Sequence, residues 1–595
     1  MTRVGVDTGG TFTDVVSADG SVAKRLSTLP DPSVAVVDGV RAVGGASVVA
    51  HGTTVATNAV LERRGARVAL VANEGFADVV EIARQNRPSL YDAFVDRPPA
   101  LVAREDRLEV RGRLAADGSE LVALDVSSLP AVPDGVEAVA VCLLHSDLDP
   151  SHEQAVAAAL RPRWNVTCSH EVSPEFREYE RTVTTVLNAY VRPLCRHYLS
   201  GLCDVAPVVE VMTSAGGLLS LEEASDRPVA LLLSGPAGGV AAGASAAVAA
   251  GFPDAVTFDM GGTSTDVCLV LDGAPAPAAQ RSVGGYPVRL PSLDIHTIGA
   301  GGGSIARLDA GGALVVGPES AGASPGPACY GRGGVLPTVT DADLVEGRIP
   351  ASAAFPGLGA LSVRAAGDAL ATAGVSAEGV ITVVDEGMVQ AVRAVTVERG
   401  VDPRGLALVA FGGAGPLHAC ALAAELGMRA VVVPPHAGVL SAVGLVRARR
   451  QVDLVRSWPT PSSWSAASLE DGLVTLAMDA SRAVGGGAEV EVSVDCRYAG
   501  QSHELTVPDV SMFPAEHERR NGYVREGAPI EVVAVRASAR APGGDEVTLA
   551  APVDRRPAVG PAVLVEEDCT VWVPEGWRAE VHEESGSWIL RPSKS

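Results

Sequence analysis

Two segments far apart in this chain follow one pattern. Residues 4–16 read V-G-V-D-T-G-G-T-F-T-D-V-V, and residues 256–268 read V-T-F-D-M-G-G-T-S-T-D-V-C. Each is an apolar run that enters D-x-G-G-T-x-T-D and leaves as a second apolar run, which is the signature of a β-hairpin with a glycine turn. The turn is what restricts the fold. Two glycines let backbone come close to a ligand, and successive turn amides with threonine hydroxyls form a concavity suited to an anion. Glycine turns are common, so one copy would say little. Two copies that agree at six of eight positions call for two equivalent halves.

A phosphate-type loop in each of two α/β regions is similar to the actin/sugar-kinase/Hsp70 fold class, whose duplicated lobes face each other across an ATP cleft. That resemblance implies roles. Gly9, Gly10, Thr11, Thr13 and Asp14, with Gly261, Gly262, Thr263, Thr265 and Asp266, are expected around the phosphates. Asp7 and Asp259 are the expected catalytic carboxylates and would face Mg²⁺ through its bound water. Either could orient the nucleophile of a phosphoryl transfer, and the sequence leaves that choice open.

Composition excludes several alternatives. Of the basic residues only Lys24 and Lys594 are lysines. No G-x-x-x-x-G-K-[ST] occurs, so this is not a P-loop enzyme, and Schiff-base chemistry has almost no candidate residue. A net charge of −24 without a basic block argues against nucleic acid or an anionic membrane as partner. ATP must therefore be held by turn amides and a metal ion. The nine cysteines are scattered without a C-x-x-C pair, which points to a reducing, cytoplasmic setting. No apolar run reaches the ~18 residues of a membrane helix, and Met-Thr-Arg followed at once by a strand is not expected to be a signal peptide.

Along the chain, strand runs (3–6, 48–50, 67–72, 136–144) alternate with helix patterns (57–64, 75–84, 152–160) up to about residue 185, as in an α/β domain. A helix of period 3.6 is expected over 179–198. A second α/β region, 186–450, opens with a strand at 208–212. After the linker signals at 459–463 and 485–487, strand runs predict a smaller β-rich domain over 451–595.

Six further strings carry a closer resemblance. They are H-G-T-T-V-A-T-N-A-V-L-E-R-R-G (51–65), S-P-E-F-R-E-Y-E-R-T (173–182), S-G-P-A-G-G-V (234–240), T-I-G-A-G-G-G-S-I-A (297–306), G-P-E-S-A-G-A-S-P-G-P-A-C-Y-G-R-G-G (317–334) and F-G-G-A-G-P-L-H-A (411–419). In this order they resemble the A-type subunits of the hydantoinase/5-oxoprolinase family over about 1–450. C-R-Y-A-G-Q (496–501) extends the match more weakly. Gly412, Gly413 and Gly415 lie where the fold class contacts adenosine, and the turn at Gly301, Gly302 and Gly303 is expected to present open amides. His51, Thr53, Thr54 and Asn58 form a hydroxyl-rich strand-to-helix junction and are the candidate substrate contacts. His418 and His145 are weaker ones.

The resemblance implies ATP-dependent opening of a hydantoin, 5-oxoproline or other small lactam, with ATP and Mg²⁺ as cofactors. It also implies a B-type partner subunit within an oligomer. The rivals are an ATP-dependent ketone carboxylase subunit, a sugar-kinase-like phosphotransferase and a non-catalytic ATP-gated subunit.

Overall fold

The computed structural model describes residues 2–593 except 11, 29–30, 93, 356–358, 459–465 and 543–554. Lobe I begins with β1 (Arg3–Thr8), β2 (Phe12–Ser17), β3 (Val22–Leu26), β4 (Val48–Thr53) and the short helix α1 (Val55–Leu61). A side sheet follows, made of β5 (Val68–Asn73), β6 (Arg107–Leu114), β7 (Glu120–Asp125), β8 (Ala138–Val141) and β9 (Asn165–Cys168) in the order β7-β6-β5-β8-β9. The 23-residue helix α2 (Glu178–Ser200) carries Glu178 and Glu180 in its first turn, where the positive end of the helix dipole favours them. Its Val183, Val186, Leu187, Tyr190 and Val191 are buried in the lobe I core.

The chain then returns to the first sheet as β10 (Val208–Met212) and β11 (Leu218–Ser220), completing the order β11-β10-β4-β1-β2-β3. This corrects the expected boundary at 185/186. β10 runs parallel to β4, with Val208 opposite Val48, because α2 serves as a β-α-β crossover, which brings the next strand back to the same sheet.

Lobe II repeats the plan. Helix α3 (Gly235–Ala249) leads into β12 (Ala255–Met260), β13 (Thr265–Leu271) and the short β14 (Ala274–Pro275). The hairpin β15 (Arg281–Val283)–β16 (Tyr286–Val288) and strand β17 (Ile295–Ile298) follow, then helices α4 (Val339–Val345) and α5 (Ala377–Val395). β18 (Ala407–Phe411), α6 (Gly415–Glu425), β19 (Ala430–Val433) and α7 (Leu440–Arg447) complete the repeat. β12, β18 and β19 are parallel and nearly all apolar, as strands covered on both faces must be.

α3 and α7 cross at glycines. A Cβ on Gly444 would lie 1.9 Å from the Gly238 carbonyl oxygen, so the helices touch backbone to backbone. α7 rests equally closely on β1, where a Cβ on Gly5 would lie 2.2 Å from the Ala442 carbonyl oxygen.

Beyond α7 a β-rich module forms from β20 (Gln451–Ser457), α8 (Ala466–Val484), β21 (Glu489–Tyr498), β22 (Leu505–Val507) and β23 (Ile530–Arg540), its sheet ordered β20-β23-β21-β22. Residues 451–595 are nevertheless not one separate domain. After the hairpin β24 (Ala562–Val565)–β25 (Thr570–Val573), strands β26 (Trp577–Val581) and β27 (Trp588–Pro592) extend the lobe II sheet, with Leu590 opposite Val431. α8 is a helix that the strand-based reading missed, although Leu469, Leu476, Ala480 and Val484 give it a buried stripe at helical spacing. The linker signal at 459–463 lies outside the described residues. Among the described residues, no helix is long and apolar enough to cross a membrane.

A buried ionic network joins the module to both lobes. Glu175 accepts from Arg289 Nε (2.9 Å) and Arg536 Nη2 (2.9 Å). Arg289 also reaches Glu504 (2.8 Å), and Arg536 is bidentate on Asp495.

The glycine crossing yields the first prediction. Gly444→Ala should destabilise the protein by about 3 kcal/mol, as overpacking of a tight contact does, and lower its melting temperature. Gly367→Ala is the control, because a Cβ there meets nothing within 4 Å; it should leave the melting temperature unchanged or raise it.

Candidate active site

The two hairpins are alike in three dimensions. Asp7 pairs across the ladder with Asp14, and Asp259 with Asp266. Each turn is closed by the same bond, Gly9 N to Phe12 O and Gly261 N to Ser264 O, both 3.0 Å. Gly10, Gly262 and Thr263 are exposed at the tips, and no partner takes their amides among the described residues. Thr11 lies outside the described residues.

Neighbouring glycines seat the inner carboxylates. A Cβ on Gly412, whose φ is +78°, would lie 2.4 Å from Asp259 Oδ1, and one on Gly52 would lie 3.0 Å from Asp7 Oδ1. Ser441 Oγ donates to Asp259 Oδ2 at 3.4 Å. Gly413, the next residue in the turn after β18, has open space above it.

The four aspartates share one electrostatic environment. Burial raises Asp7 well above the usual carboxylate range, and Asp14 and Asp259 push it further. Asp259 rises to about 7, through burial and then Asp266. Asp266 rises to about 6 through burial, opposed by the Thr297 hydroxyl. Burial also raises Asp14, against the pull of Lys24, whose Nζ lies 2.9 Å from Asp14 Oδ1. A fifth carboxylate comes from beyond β24: Asp568 accepts from Gly438 N at 2.9 Å and adds its field to Asp14.

Two hairpin pairs with a single ammonium among them put acid in excess of base here. Their donors are all oxygens, which fits a hard divalent cation. Sequence reasoning missed both Lys24 and Asp568. The scarcity of lysine was a signal for the first; nothing local marked the second.

Other expected contacts fall elsewhere. Thr13 and Thr265 are fully buried and their hydroxyls are engaged, Thr13 with Ser27 Oγ (3.2 Å) and Thr265 with the Ala300 carbonyl (2.6 Å). They hold the hairpins in shape rather than facing a ligand. The amides at 301–303 are likewise not open. Gly301 N donates to Ser304 Oγ (2.8 Å), Gly302 N to Gly261 O (3.0 Å) and Gly303 N to Gly262 O (2.7 Å). That turn buttresses the second hairpin from behind, and its glycines are required by the approach: a Cβ on Gly301 would lie 2.8 Å from Gly261 O.

His51 is a core residue. It lies mid-strand between β1 and β10, is fully buried, and bonds Tyr198 Oη at 2.8 Å through Nε2. Burial pulls it down to about 4, so it is neutral. Thr53 is also buried, whereas Thr54 is half-buried and Asn58 exposed. Thr54 stands beside the start of α3, where a Cβ on Gly235 would meet its Cγ2 at 3.5 Å. His418 is buried between Asp385 (2.6 Å) and Asp343 (3.3 Å). Burial opposes its charge, but the two carboxylates outweigh burial and hold it up to about 10. It is an internal ion-paired residue of α6.

Family models for the hydantoinase/oxoprolinase N-terminal region and for hydantoinase/oxoprolinase match residues 3–163 and 181–453. The chain belongs to the hydantoinase/oxoprolinase family. Within that family it is 34% identical to the caprolactamase subunit alpha of Pseudomonas jessenii, over 99% of each chain. The crystal structure of the ATP-dependent caprolactamase from that organism superposes with a TM-score of 0.85 at 32% identity, over the whole of both chains. 5-Oxoprolinase 1 of Arabidopsis thaliana is 35% identical over 74% of this chain, which spans 41% of that protein. The acetophenone carboxylase gamma subunit of Aromatoleum aromaticum is 33% identical over 75% of this chain and 67% of its own. The duplicated actin-like architecture with a β-rich C-terminal region is therefore that of this family.

The raised aspartates set a pH dependence. A carboxyl whose folded pKa is raised holds its proton more tightly when folded, so its contribution to stability falls as pH rises from about 4 toward 7. Asp259→Asn should therefore melt higher than the wild type at pH 8 without metal, yet lose ATP turnover at least ~tenfold. Divalent-cation affinity of the wild type, measured by calorimetry, should weaken as pH falls below 7, with proton release on binding.

Proposed function

We propose that this chain is the ATP-binding subunit of an ATP-dependent cyclic amidase. The observation that carries the reading is the pair of matched hairpins with four raised aspartates, within a family whose relatives include an ATP-dependent caprolactamase. A lactam carbonyl is a poor electrophile. Attack of its oxygen on the γ-phosphorus of ATP expels ADP and leaves an imidate-type phosphate. Water then adds at the former carbonyl carbon, and the ring nitrogen takes a proton and leaves as the C–N bond breaks to give an acyl phosphate. A second water hydrolyses that to the carboxylate and inorganic phosphate.

In this reading the open tip amides of Gly10, Gly262 and Thr263 hold the phosphates, and Gly413 offers backbone to the adenosine. Asp7 and Asp259 hold Mg²⁺, which supplies charge neutralisation at the transferring phosphoryl group. Lys24 orients Asp14 and offsets part of the excess charge. Thr54 and Asn58 remain candidates for the substrate side, because they are open at the junction of α1 and α3. A B-type partner subunit completes the hydrolysis.

The similarity to acetophenone carboxylase gamma subunit supports a second reading, in which the phosphorylated acceptor is a ketone enolate or bicarbonate. The two separate by assay. The purified chain should give slow, Mg²⁺-dependent ATP hydrolysis alone. With its co-expressed partner it should open a lactam from a panel of caprolactam, 5-oxoproline and hydantoin, with ADP formed in step. Bicarbonate-dependent ADP formation with acetophenone or acetone, and none with lactams, would decide for the carboxylase.

A further inference from the structure

Residues 274–298 form an arm that leaves lobe II, crosses lobe I and returns. It departs at β14, which pairs with β13. On lobe I, Tyr286 Oη donates to Pro99 O (2.8 Å), Arg289 N to Thr184 Oγ1 (3.0 Å) and Leu293 N to Ser214 O (2.7 Å). The tip of the β15–β16 hairpin lies on α1, where a Cβ on Gly284 would meet Val60 Cγ1 at 3.4 Å. The arm comes back as β17 beside the second phosphate hairpin, with Thr297 bonded to Asp266.

Arg281 opens β15, on the same strand face as the buried Val283 and opposite Val288. Its Nε and Nη2 are sealed from solvent and have no hydrogen-bond partner among the described residues. Burial alone acts on it, with no carboxylate in opposition, and pulls it down to about 9. Arg281 as a whole is half-buried, and arginines that are more deeply enclosed behave differently: Arg181 meets Asp147, Arg289 meets Glu175, Arg536 meets Asp495 and Arg555 meets Glu566. In a chain with 71 acidic residues, leaving two sealed guanidinium nitrogens without an acid costs stability that an apolar side chain would avoid.

We infer that Arg281 is an anion receptor, which takes the carboxylate or phosphate of a small ligand entering between the arm and lobe I. A guanidinium suits both groups, since its forked donors match their paired oxygens. Under the cyclic-amidase reading, on which the choice of lactam rests, the ligand is a lactam that bears a carboxylate, such as 5-oxoproline. The alternative source of the anion is phosphate itself.

The test compares wild type, Arg281→Met and Arg281→Lys by thermal melting and calorimetry at constant ionic strength. The probes are 5-oxoproline, inorganic phosphate and 2-pyrrolidinone, which is the same ring without the carboxylate. For the wild type, 5-oxoproline should raise the melting temperature by about 2 °C or more near saturation, as ligand linkage requires, and 2-pyrrolidinone should not. Arg281→Met should melt no lower than wild type without ligand and bind 5-oxoproline at least ~tenfold more weakly, with ATP affinity unchanged. Arg281→Lys should recover part of the binding.

A response to phosphate alone, lost in Arg281→Met, would keep the receptor and assign it to phosphate. An Arg281→Met protein that melts lower and still binds the anions as wild type does would overturn the inference, because the side chain would then be structural. So would a wild type that responds to neither anion. If the anions bind through Arg281 but no lactam is opened with the partner present, the receptor stands and the amidase reading falls.

Discussion

The contact on which the rest of the structure depends is the backbone-to-backbone seat of α7. This one helix lies on β1 at Gly5, crosses α3 at Gly444, packs Leu445 against Gly52 and reaches Asp259 through Ser441. It therefore touches the strand under Asp7 and the carboxylate of Asp259 together, and sets the gap between the hairpins. Like charges about 5 Å apart repel by roughly 3 kcal/mol at an effective dielectric of 20. Close packing along α7 and α3 holds the aspartates against that repulsion, and the carboxyls respond by retaining protons.

The fold was legible because its repeat is written in short, local strings. D-x-G-G-T-x-T-D specifies a turn by its own residues, and the Gly9–Phe12 and Gly261–Ser264 closures follow from that local chemistry. Function-bearing amides were harder to assign. The string at 297–304 holds four glycines and that at 7–14 only two, yet the tip of the first hairpin is exposed at Gly10, whereas the turn at 301–303 is packed against another stretch of backbone. Only the position of Gly261 against Gly301 separates the two cases. His51 was misplaced for a related reason. Its neighbours in sequence are polar, but strand alternation turns it toward Tyr198 and away from Asp7. Asp568 was beyond local reasoning, since its partner Gly438 lies in another part of the chain.

The string S-P-E-F-R-E-Y-E-R-T, which ATP chemistry does not need, is explained by the junction of modules. Glu175 receives two arginines, Arg177 meets Glu504, and Arg181 lies buried against Asp147. The arm, the β-rich module and the root of α2 are thereby held by charges that satisfy one another. Removing any one member would leave its partner buried and unpaired, which is far costlier than the net contribution of the pair. The contrast with Arg281, on the same arm, gives that lone guanidinium its meaning.

The insertion of β27 beside β19 has a consequence during synthesis. Val431 cannot acquire its neighbour Leu590 until about 159 further residues have been made. At roughly 5–20 residues per second, the edge of β19 waits on the order of ten to thirty seconds on the ribosome with its backbone groups unpaired. Lobe I has made its own strands by residue 220, but its edge waits too, since Leu218 N pairs with the Arg449 carbonyl and β1 receives α7 at Gly5. Both lobes therefore close late, and during that interval the nascent chain carries an open, apolar strand edge of the kind that pairs with other chains.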